Sequence, residues 1–161
     1  LNGKEIGEAK VDETCTAAFE VPYEPGTLTV ICTRNDERAS ASLTTPGEAV
    51  KIEAVADVKT LPADGQAVCQ MEVALRDASG NFAATDDRMI TCRVLGDAKF
   101  LGLENGSPVD LTSYASDTRP TYHGRAIVYV RAGCTQGKAE LHLSAPGLKE
   151  TVVALNMTGA E

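Results

Sequence analysis

Cys69-Gln70-Met71-Glu72-Val73-Ala74-Leu75-Arg76 alternates apolar and polar side chains with a single lapse, at Ala74. Period two is the repeat of an extended strand, whose successive side chains point to opposite faces. One face of such a segment enters a core and the other meets water. The same alternation recurs in Val50-Lys51-Ile52-Glu53-Ala54-Val55, Ile127-Val128-Tyr129-Val130 and Ala139-Glu140-Leu141-His142-Leu143. No window keeps apolar residues at helical spacing with caps at both ends, so little or no helix is expected.

Working outward, turn signals separate these runs at the rhythm of a β-sandwich. They include Asn2-Gly3, Glu24-Pro25-Gly26, Arg34-Asn35-Asp36-Glu37, Asp77-Ala78-Ser79-Gly80-Asn81, Asn105-Gly106-Ser107-Pro108 and Ala145-Pro146-Gly147. Thr44-Thr45-Pro46-Gly47 breaks the chain between two strands and is the best boundary. Upstream, strands are expected near 3–11, 16–23, 27–34 and 38–45, too few for a sandwich of about seven. Downstream, the span is long enough for a complete one. The expected fold is therefore all-β: tandem immunoglobulin-like (fibronectin or bacterial Ig-like) β-sandwiches. Residues 1–46 would be the C-terminal part of a module truncated at its N-terminus, and residues 47–161 a complete module.

The opening Leu1-Asn2-Gly3-Lys4-Glu5 has no initiator Met, basic region or apolar stretch, and predicts a piece of something longer. Its compartment stays open. The net charge of −8 is spread along the chain, whereas phosphate binding needs a concentrated basic face. No nucleic-acid or membrane partner is expected, and no apolar run approaches a bilayer span. The five cysteines form no Cys-x-x-Cys pair, and only His123 and His142 are available to complete a metal site. Cys32, Cys69 and Cys92 lie in strand-like runs and read as small core residues. No cofactor is expected.

Candidate chemistry is sparse. Glu5, Glu8, Glu53, Glu72 and Glu140 fall on polar strand positions and read as surface charge. There is no Gly-x-Ser-x-Gly elbow, and His142 alternates outward as a solvated side chain. Asp77, Ser79 and Asn81 alternate as calcium ligands do, yet the same residues are turn formers first. Sugar binding is the functional alternative, because pyranose faces stack on exposed aromatics while polar groups hold the hydroxyls. The chain has no Trp, and Phe19, Phe82, Phe100 and Tyr129 read as packing residues. That leaves Tyr23, Tyr114 and Tyr122, of which Tyr114 and Tyr122 with Arg119 and His123 form the candidate carbohydrate-binding set, although Tyr122 reads more readily as the anchor of a core strand. An adhesin-like Ig repeat is the third reading.

Several segments carry a resemblance. Phe19-Glu20-Val21-Pro22-Tyr23-Glu24-Pro25-Gly26-Thr27-Leu28, behind the Leu1-Asn2-Gly3-Lys4 turn, resembles the penultimate module of bacterial β-galactosidases of glycoside hydrolase family 2. Leu61-Pro62-Ala63-Asp64-Gly65-Gln66 and Val73 to Asn81 are similar to the last module of those enzymes. So are Gly102 to Pro108 and Tyr122-His123-Gly124-Arg125-Ala126. Ser107 departs from the pattern, where an acidic residue is common, and the cysteines are not a family feature. The resemblance implies a non-catalytic accessory region whose partner is an upstream (β/α)₈ barrel, which carries the catalytic glutamates for retaining hydrolysis of terminal β-galactosides. Truncation implies either self-association through strand edges of residues 1–45 or a mobile N-terminal third, and the sparse aromatics allow at most a weak carbohydrate contact.

Overall fold

A computed structural model describes residues 1–159 of the chain. The alternating stretch forms a central strand in which Cys69, Met71, Val73 and Leu75 are buried while Gln70 and Glu72 face water. Around it lies a four-stranded sheet of β3 (Lys51–Ala56), β5 (Val68–Arg76), β9 (Arg125–Ala132) and β7 (Ala98–Glu104), in that order and antiparallel throughout. A five-stranded sheet is formed by β4 (Thr60–Pro62), β11 (Thr151–Thr158), β10 (Gly137–Ser144), β6 (Met89–Leu95) and β8 (Thr118–Pro120). Its β4–β11 pair is parallel. The inward side chains of both sheets meet in one core that includes Ile52, Leu61, Met71, Val128, Ile90, Leu141, Leu143 and Leu155. Burying each Leu or Ile contributes about 1.5–3 kcal/mol, which is why the alternation is so regular here. No helix occurs among the described residues, as the periodicity predicts.

The chain divides into two compact units, Leu1–Thr45 and the residues from Pro46 onward. The first contains β1 (Thr27–Arg34) and β2 (Glu37–Thr44), an antiparallel hairpin closed by Asn35 and Asp36, both at positive φ. Leu28, Val30 and Cys32 pair with Leu43, Ala41 and Ala39 on one face, and Thr and Ser residues dominate the other. The apolar face is uncovered: Leu43 is 77% exposed, and Leu28, Val30 and Cys32 are exposed as well. Cys32 is thus not the core residue its alternation predicts. The strands expected near 3–11 and 16–23 are not formed either. A strand needs a neighbour to complete its ladder, and these segments find none among the described residues. Phe19, read as a packing residue, is 44% exposed for the same reason. The Asn2-Gly3 turn does form, with Leu1 and Lys4 exchanging backbone hydrogen bonds across it.

All five cysteines are free thiols. Burial pushes Cys69 up to about 11 and Cys92 up to about 12, so both remain neutral core side chains.

Candidate functional site

The inward position of β8 is taken by Arg119, only 2% exposed. A charge taken out of water must be paired and hydrogen-bonded. Its partners come from the loop between β7 and β8. Arg119 Nη1 lies 3.3 Å from Asp110 Oδ2, Nη2 donates to the Thr112 carbonyl, and the guanidinium stacks over the Tyr114 ring at 4.9 Å. Arg119 Nε has no partner among the described residues.

Asn105 braces the same loop. Its Nδ2 donates to Asp110 Oδ2 and to the Pro120 carbonyl, each at 2.9 Å, and its Oδ1 accepts from Ser107 N. Hydrogen bonds from Thr112, then the nearby Arg119 charge and Asn105, hold the Asp110 carboxyl below the usual carboxylate range. The far end of the loop is tied back by Leu103 N donating to the Tyr114 carbonyl at 2.9 Å. Gly102 eases that approach, since a Cβ there would sit a tight 3.0 Å from the Tyr114 oxygen. A β-bulge between Phe100 and Gly102 turns Leu101 out of the ladder. Leu101, Gly102, Leu103, Glu104, Tyr114 and Tyr129 line a shallow groove of about 330 Å³. Burial, then the Glu104 carboxylate, raises the Tyr129 phenol.

Of the candidate carbohydrate-binding residues, Tyr114 and Arg119 are therefore brought together, with Tyr114 67% exposed and Arg119 beneath it. Tyr122 and His123 form a second pair, their rings 4.2 Å apart and tilted by 58°. His123 and Gly124 close a two-residue turn into β9, with φ of 50° and 69° and hydrogen bonds exchanged between Tyr122 and Arg125. A Cβ at Gly124 would meet the Ala83 carbonyl oxygen at 2.4 Å. Asp87 Oδ1 accepts from Gly124 N and Thr121 Oγ1, which fixes the turn. His142 differs from its reading as a solvated side chain: its two ring nitrogens lie 3.2 Å from Glu140 and 3.3 Å from Glu150.

Asp77 receives N–H donors from Gly47, Ser79 and Asn81, so its oxygens close a turn. Among the described residues no group of three or more His, Cys, Asp or Glu is placed to hold a metal ion. The roles of Asn105 and Asp110 were missed from sequence. Asn105 sits inside an ordinary turn signal, and Asp110 stands alone between Val109 and Leu111.

A family model described as glycoside hydrolase family 2 C-terminal domain 5 matches residues 52–154. The chain belongs to this family. Residues 1–40 match a second model, described as a domain of unknown function (DUF4982). Beta-galactosidase BoGH2A of Bacteroides ovatus is 28% identical over 158 residues, covering 97% of this chain and 19% of that protein. A glycosyl hydrolase family 2 member from Bacteroides cellulosilyticus superposes with a TM-score of 0.90 at 26% identity, over 96% of this chain and 22% of that one. A beta-glucuronidase from glycoside hydrolase family 2 shares the fold, with a TM-score of 0.77 at 22% identity, over 88% of this chain and 15% of that chain. The chain thus spans about a fifth of the length of the curated β-galactosidase it matches. It corresponds to the C-terminal region of family 2 enzymes. The binding-module and adhesin-repeat alternatives are not favoured by these matches.

Proposed function

We propose that this family 2 C-terminal region is a structural accessory to an enzyme hydrolysing terminal β-galactosides, with a catalytic barrel upstream as its covalent partner. The observation that carries the reading is the alignment with the B. ovatus β-galactosidase along 97% of the chain. The site chemistry supports the non-catalytic part. Arg119 and Asp110 neutralise each other inside a loop, an arrangement that holds structure and occupies both charges. The first unit supports the expected self-association, because the uncovered Leu28, Val30 and Leu43 face invites a second hairpin. On this reading residues 1–46 are the C-terminal part of an Ig-like module and residues 47–161 a whole one.

A weak sugar contact at Tyr114, Arg119, Tyr122 and His123 has one observation for it, the exposed Tyr114 ring. The occupied Arg119 guanidinium counts against it. One experiment separates the roles: hydrolysis of an aryl β-galactoside by the parent enzyme and by this chain, with saturation-transfer NMR of the chain against galactosides. The expected result is hydrolysis by the parent only, and no transfer at millimolar sugar. Transfer abolished by Tyr114→Ala or Tyr122→Ala would install the binding-module role instead, and a parent inert towards β-galactosides would overturn the substrate.

A further inference from the structure

The loop braced by Arg119 exposes two aliphatic side chains and a ring on a backbone that is tied down. Val109 is 80% exposed and Leu111 97%, with Tyr114 beside them. From Gly106 to Ser116 the single charged residue is Asp110, and it already faces Arg119. In a chain that is 24% charged, Val109, Leu111 and Tyr114 thus stand exposed within six residues of one another, with no free charge between them. Its backbone is held by Asn105, by Arg119 on Thr112, and by Leu103 on Tyr114, so little freedom is left to lose on docking.

We propose that this loop is the surface on which the accessory region docks to the preceding part of its own parent enzyme, with Val109 and Leu111 entering an apolar depression there. The inference rests on the parent-enzyme reading above. Size selects the occupant. Two aliphatic side chains and a ring cover far less than the roughly 1,000 Å² that a specific complex between separate chains needs. A covalent tether supplies an effective concentration on the order of millimolar, so a small patch suffices within one chain. The matched region is 19% of the B. ovatus relative, which leaves most of that chain as possible counterpart. A sugar is a poor occupant for Val109 and Leu111, which offer neither hydrogen bonds nor a flat ring.

The test is a photo-crosslinking residue placed at Leu111 in the full-length parent enzyme, read by mass spectrometry. A crosslink within one chain to a peptide upstream of the accessory region is expected. A crosslink to a second copy, or none at all, overturns the proposal. In the same enzyme, the pair Val109→Ser and Leu111→Ser should speed amide exchange across residues 106–116 by about tenfold or more, and unchanged exchange also overturns it. β-Galactoside hydrolysis is measured on every sample. Missing crosslinks with hydrolysis intact sink this surface alone, whereas an inert unmodified parent sinks the reading beneath it.

Discussion

Arg119 holds a full charge where a β8 side chain points into the sandwich, and three loop residues answer it. An arginine suits the position because its planar fork serves a carboxylate and a carbonyl together while its face stacks on a ring. Arg119→Met keeps most of the volume but leaves Asp110 to Asn105 and Thr112 alone. The change withdraws the counter-charge from Asp110 and the donor from the Thr112 carbonyl, so it destabilises the loop. We expect a lower urea midpoint and faster amide exchange between Asn105 and Asp117, with Arg119→Lys recovering only part of either. An unchanged midpoint would show the network to be incidental. The sequence marks Tyr114 and Arg119 as chemistry-bearing, but not that each satisfies the other.

At the scale of elements, aspartates close the connections between strands. Asp64 accepts from Gln66 and Ala67 N, Asp77 from three residues, Asp86 from Ala49 N, and Asp97 from Cys134 and Thr135 N. Each carboxyl is held below its ordinary value of 3.8: Asp64 first by Ala67, Asp77 by Gly47, Asp86 by Arg88 and Asp97 by Thr135. With folded values depressed, the stabilisation is fully present above the unfolded value and is lost as pH falls through the folded ones. Stability should therefore be level between about pH 7 and 5 and decline below about pH 4. Urea midpoints at pH 7, 5 and 3 check this, and a midpoint that holds or rises at pH 3 contradicts it. Asp-rich turns are readable in sequence because an Asx turn is local. Asp97 reaching Cys134, far along the chain, is not.

For the whole molecule, the contrast between the two units governs behaviour. The unit from Pro46 onward buries a two-sheet core, whereas the hairpin of the first unit leaves its apolar face open. A lone two-stranded hairpin is marginal in water, so its amides should exchange on the order of a hundredfold faster than those of residues 50–156. At high protein concentration the proposed self-association should slow that exchange, with a matching rise in mass by sedimentation. Equal protection of residues 1–45 in a strict monomer would refute both the open face and its consequence.

The sequence by itself determined the all-β class, the turns and the family. These rest on side-chain alternation, on Asn-Gly and Asp-Gly chemistry and on ordered local motifs, all decided within a few residues. Tertiary structure decided the rest: the parallel β4–β11 pair, the exposure of Cys32 and Phe19, the turn that claims His123, and the loop pinned over Arg119. Each depends on which distant segment arrives as a neighbour. Period two says only that a side chain has an inner and an outer face. Whether anything covers that face, or answers a charge upon it, is settled by the partner that packs there.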